Sequence, residues 1–202
     1  MKSWVPTETI EAFPHPSDTV TLLCRYVSVS KSGNQQSTED RNVYDFYQED
    51  SQQHVIAEVD WKDPPYRSFF HESYCCVEEI GGLIHCFDVH TGRRIWQLQV
   101  GEEHASITKG AFHQGLGCWV FVTYITSELW HVDATDGSIL ERRKLPKECG
   151  HINDCFCFVD HGTKLLTIQG KLIDLATLEV IEEGVFASMG LEFETPLDEQ
   201  VV

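Results

Sequence analysis

The stretch LIHCFDVHTGRRIWQLQV, residues 83–100, alternates apolar and polar residues up to Asp88, turns through Thr91-Gly92, and resumes as an apolar ladder through Trp96. Period-two alternation on both sides of a Gly-containing turn predicts a β-hairpin. The Asp88 carboxylate, at a strand end, can accept backbone N–H bonds from the turn, and Gly92 suits a positive φ. Trp96 is the right size to cover a neighbouring sheet.

The phrase recurs. ELWHVDATDGSILERRKL (128–145) carries Asp133 and Asp136-Gly137, with Ile139-Leu140 expected to take the covering role. GKLIDLATLEVIEE (170–183) carries Asp174, and RNVYDFYQEDSQQHVIAEV (41–59) offers Asp45 before a longer turn. The aspartates at 45, 88, 133 and 174 lie 43, 45 and 41 residues apart. A period in the forties with several strands per unit is the size of a propeller blade.

Two further strands are expected ahead of each hairpin: YRSFFHE and SYCCVEEI, then SITKGAF and GCWVFVTYI, then HINDCFCFV and TKLLTIQ with DHGT between them. In the first unit DTVTLLCRYVSVS (18–30) is expected to supply both. The expected fold is a single all-β domain over residues 1–202, a small β-propeller-like array of about four blades, each a four-stranded antiparallel sheet. The blades are placed at about 18–60, 66–101, 105–146 and 150–184. The termini, 1–17 and 185–202, would close the ring or extend it; otherwise the array stays open and protects its edge as a homodimer.

CFDVHTGRRIW resembles the repeat of quinoprotein-type (PQQ-like or WD-like) β-propellers, whose blades carry an Asp-x-x-Thr-Gly-x-x-x-Trp phrase. The match is full at Asp88, Thr91, Gly92 and Trp96. The third unit keeps Asp133 and Gly137, the fourth Asp174 and Thr177. The resemblance implies an architecture and leaves function open, because the repeat is a packing device.

Fifteen Lys and Arg against 32 Asp and Glu give a net charge of −17. That field repels nucleic-acid phosphates and anionic lipid and attracts a basic protein partner. No run reaches the length of a membrane span. The start, MKSWVPTETIEAFPHP, lacks the apolar core of a signal peptide, and most of the eight cysteines sit inside strand-like runs. Reduced thiols in the cytoplasm are therefore expected.

Candidate sites are few. Cys149, His151, Cys155 and Cys157, in CGHINDCFC, have zinc-binding residue types in a spacing that suits a buried strand better than a zinc knuckle. Cys75 and Cys76 should point to opposite faces of one strand. His54, His71, His85, His90, His104, His113, His131 and His151 are scattered and fall into no catalytic motif. Residues 29–42 read as a long exposed loop. Glu39, Asp40, Glu49 and Asp50, with Trp61 and Tyr66 as aromatic anchors, are the candidate partner-binding residues. No cofactor is expected. The expected function is a non-enzymatic, acidic protein-binding module, in its narrowest form an immunity-type inhibitor of a basic toxin or nuclease. The alternatives are a quinoprotein-like or metal-dependent enzyme fragment and a structural subunit of a larger assembly.

Overall fold

The structure, a computed structural model, describes residues 4–17, 19–30, 38–57, 59, 65–79, 81–100, 107–123, 126–147, 157–167 and 169–185. Sixteen strands form four antiparallel four-stranded sheets, each in simple chain order. Sheet 1 holds β1 (Trp4–Pro14), β2 (Val20–Ser30), β3 (Thr38–Gln48) and β4 (Gln53–Ala57). Sheet 2 holds β5 (Arg67–His71), β6 (Tyr74–Glu79), β7 (Leu83–Asp88) and β8 (Arg94–Gln99). Sheet 3 holds β9 (Ile107–His113), β10 (Cys118–Thr123), β11 (Glu128–Asp133) and β12 (Ile139–Lys144). Sheet 4 holds β13 (Cys157–Val159), β14 (Lys164–Leu166), β15 (Leu172–Asp174) and β16 (Val180–Glu182). This is the propeller-like architecture that the period predicts.

Three apolar cores join the sheets in series. Leu22, Tyr44 and Phe46 of sheet 1 pack on Cys75, Val77 and Phe87 of sheet 2. The opposite face of sheet 2, with Cys76, Cys86 and Trp96, packs on Trp119, Phe121 and Trp130 of sheet 3. Val120, Val122 and Leu129 then pack on Leu165, Ile173 and Leu175 of sheet 4. Cys75 and Cys76 thus enter different cores, as alternation along a strand requires. Central strands buried on both faces explain why β10 reads as the unbroken apolar run CWVFVT, with every residue buried.

The turn chemistry holds in three sheets. Asp88 Oδ1 accepts the His90 and Thr91 N–H groups and the Thr91 hydroxyl at 3.0, 2.8 and 2.9 Å. Asp133 serves Thr135 in the same way, and Asp174 serves Ala176 and Thr177. Gly92 and Gly137 have φ of 68° and 75°, and Leu178 takes that place in sheet 4 at 62°.

Sheet 1 corrects the sequence reading in three respects. Residues 20–30 form one strand, and the first strand is Trp4–Pro14, which had been placed outside the blades. The turn that separates them, His15-Pro16-Ser17, was legible as a Pro-containing breaker. Of residues 29–42, those described are strand: β2 runs to Ser30 and β3 begins at Thr38, with Glu39 opposite Val29 and Asp40 opposite Ser28. Asp45 ends no strand. It sits inside β3 opposite Leu23 and Ile56, fully buried, and binds Arg25 at 3.3 Å and His54 at 2.8 Å. The strand ends three residues later, at Gln48, so its fit to the 43-residue spacing is coincidental.

Candidate functional site

Each sheet begins with its innermost strand, and these strands adjoin in order, β5 beside β9 and β9 beside β13. Their C-terminal ends converge, with the end of β1, on a cavity of about 760 Å³. Its walls include Phe13 of sheet 1, Phe69 and Phe70 of sheet 2, Phe112 of sheet 3 and Phe158 of sheet 4, with His71 and His161.

The four strand ends are equivalent in register. His15 donates its N–H to Val20, His71 pairs with Tyr74, His113 with Cys118 and Val159 with Lys164, each across the first turn of its sheet. Three of the four positions are histidines, and two of these rings reach the next sheet. His15 meets Phe70 edge-on at 5.1 Å, and His71 stacks on Phe112 at 3.7 Å with 7° between the ring planes. Burial holds the His71 ring below the ordinary histidine pKa, against the opposing pull of Glu72, so it is neutral at pH 7. In sheet 4 the first turn runs through Asp160, His161 and Gly162, all at positive φ. Gly162 is obligatory, because a Cβ there would lie 2.3 Å from the Phe112 carbonyl oxygen. The close approach seats the turn of sheet 4 on β9, where His161 also accepts the Gln114 N–H at 3.3 Å.

The sequence-derived candidates lie elsewhere. Glu39 and Asp40 are near the start of β3, whereas Glu49 and Asp50 are exposed in the turn beyond its end. A strand of that length is roughly 30 Å long, so the two pairs form no single patch. Glu49 accepts the Thr21 hydroxyl at 2.9 Å. Tyr66 is half exposed, with the Arg67 guanidinium 4.7 Å above its ring; it precedes β5 and does not line the cavity. Trp61, Cys149, His151 and Cys155 lie outside the described residues. Cys157 is exposed and unbridged, and no group of three metal-ligating side chains occurs among the described residues.

Sequence reasoning missed His15 and His161 entirely and left His71 among scattered residues. The available signal was the recurrence of FPH, FFH and AFH ahead of each first turn. It was obscured because those turns differ in length, two residues after His71 and four after His15 and His113.

A second set of contacts was also invisible in the sequence. At every junction a side-chain N–H crosses to the carbonyl just after the next sheet's turn position. Gln48 donates to Val89 at 2.8 Å, Trp96 to Ala134 at 2.9 Å, and Arg143 to Leu175 at 3.1 Å and Ala176 at 2.9 Å. Trp96 therefore does bridge sheets as expected, with its ring against Gly137. Ile139 and Leu140 do not take that role: they are 48% and 56% exposed, and Arg143 makes the crossing instead.

No protein-family profile matches the chain, and no curated protein matches its sequence. Solved structures do match. The β-propeller domain of Myceliophteria thermophila Cps50 (Swd1) has a TM-score of 0.57 at 13% identity, over 89% of this chain. A chain in the mitotic checkpoint complex has a TM-score of 0.54 at 12% identity, also over 89%. The chain spans 56% and 66% of the lengths of those two. At such identity the likeness establishes the fold, a β-propeller repeat, and nothing about activity.

Proposed function

We propose that this chain is a non-enzymatic protein-interaction module whose docking face is the mouth of the central cavity. The observation that carries the reading is the convergence of five phenylalanines, with at least one from each sheet, around an open concavity of about 760 Å³. Apolar concavities with a polar rim are where partners place anchoring side chains. Occurrence of one solved neighbour in the mitotic checkpoint complex supports the same class of role.

The net charge of −17 favours a basic partner through long-range attraction. An immunity-type inhibitor is the narrowest form of this reading and rests on size and charge alone. Kinship with quinoprotein-type propellers in particular rests on the single phrase Asp88–Trp96. The buried, unbridged thiols of Cys75, Cys76, Cys86 and Cys118 support residence in a reducing compartment such as the cytoplasm.

The test is affinity capture by the tagged protein, by Pro16→Glu and by His161→Glu. Both substituted residues are exposed at the cavity rim, so the fold should be retained. A basic partner, released by rising salt and lost from both variants at unchanged melting temperature, is the expected result. Capture that is indifferent to both changes would remove the cavity mouth from consideration.

A further inference from the structure

Register identifies one place in each sheet that can be compared across junctions. Trp96 lies opposite Cys86, two residues before the turn Asp88, and Val55 lies opposite Phe46, two before Gln48. In sheet 3 the same place, opposite His131 and two before Asp133, belongs to Glu141. At the second junction the indole fills the space under the next turn so fully that a Cβ on Gly137 would come within 2.8 Å of the Trp96 ring. At the third junction there is no indole. Leu178, in the turn place of Gly137, enters part of the space and packs on the core. What remains is an open pocket of about 370 Å³, lined by Leu116, Cys118, His131, Leu140, Glu141 and Ala176.

Its walls combine two features that an indole requires. Leu116 and Leu140 present apolar surface at the pocket, 50% and 56% exposed. Glu141 supplies a half-exposed carboxylate, with His131 Nδ1 3.3 Å and Arg143 Nε 3.1 Å away. Because Arg143 already balances that charge, a partner's lysine or arginine gains little here, whereas a neutral N–H donor can still be accepted.

We propose that this pocket receives a tryptophan side chain from a protein partner, in the place that Trp96 holds at the preceding junction. The ring packs between Leu116 and Leu140, and its N–H donates to the Glu141 carboxylate. This rests on the protein-binding reading above, although the pocket is separate from the cavity mouth.

The probe is N-acetyl-tryptophanamide, titrated into methyl-labelled protein and followed at the leucine methyls. Saturable shifts confined to Leu116, Leu140 and their neighbours are expected, with a dissociation constant in the millimolar range. The 1-methylindole analogue, which has no N–H, should bind about tenfold more weakly. Leu140→Asp at its exposed position should abolish the shifts, and Glu141→Trp should do so by filling the pocket from within. Shifts that are unsaturable or dispersed, or equal binding of the 1-methyl analogue, would overturn the proposal. So would undiminished capture of a protein partner by Leu140→Asp, and in that case the protein-binding reading survives. If the probe saturates the pocket while no protein is captured, the protein-binding reading fails and this proposal fails with it.

Discussion

Glu78 has no exposed surface, and its carboxylate accepts the Ile107 N–H at 2.6 Å, tying β6 to the start of β9. Its second oxygen is buried without a partner. Burial pushes the carboxyl from 4.5 up to about 7, against the opposing pull of that N–H and of Arg67. A folded-state pKa above the unfolded one means that the folded protein holds the proton more tightly. The resulting stabilisation is complete below about pH 4.5 and is lost as pH rises through about 7. Its full size is on the order of 3 kcal/mol. Glu78→Gln keeps a carbonyl acceptor for Ile107 and removes the titration. Urea unfolding at pH 5 and pH 8 should therefore show a smaller loss of stability on going alkaline in the variant than in the parent. Equal losses would mean that Glu78 is not the titrating group.

Gly137 supports a prediction from sterics alone. Its φ of 75° strains any side chain, and a Cβ would meet the Trp96 ring at 2.8 Å. Gly137→Ala should cost about 2–4 kcal/mol, from left-handed strain together with overpacking. In the Trp96→Ala background the ring contacts are gone and only the 3.0 Å approach to the Cβ of residue 96 remains, so the cost of adding Gly137→Ala should fall. A double-mutant cycle by thermal or urea unfolding measures that difference.

Among the elements, the junctions rather than the strands carry the specificity of the array. The same crossing hydrogen bond is made by an amide at Gln48, an indole at Trp96 and a guanidinium at Arg143. Each satisfies a carbonyl that the turn leaves unpaired, and losing one costs roughly 1–3 kcal/mol. Trp96→Phe, which keeps most of the ring but not the donor, should lie at the lower end of that range by urea unfolding. A change below a few tenths of a kcal/mol would show that solvent replaces the bond at Ala134. These crossings explain what could be read from the sequence. Aspartate turns repeat because one carboxylate geometry serves every unit, so Asp88, Asp133 and Asp174 stood out. The crossings use three residue types with a shared function, and no spacing rule links them. Asp45 shows the reverse failure: the right residue at the right interval is a buried ion-pair partner, because only pairing register distinguishes a strand end from a strand interior.

Across the described residues of the whole molecule, the three cores link the sheets in the order 1-2-3-4, so sheets 1 and 4 each share one core where sheets 2 and 3 share two. In repeat arrays, stability is close to a sum of unit and interface contributions, so end units open first. Sheet 1 compensates with long strands, β1, β2 and β3 of 11 residues each. Sheet 4 has four strands of only three residues, and its outward side carries Val159, Leu166 and Leu172 at intermediate burial. Its ties to sheet 3 are the apolar core, the Arg143 bonds and the seat of Gly162 on Phe112. Amide hydrogen exchange should therefore show β14 and β15 opening at lower free energy than β6, β7, β10 and β11, by about 1–3 kcal/mol if the Arg143 bonds are a main tie. Arg143→Met should widen the gap by lowering protection in sheet 4 while leaving β6 and β7 unchanged. Uniform protection across all four sheets would mean that the array unfolds as one cooperative unit, and the same variant would then lower every amide together.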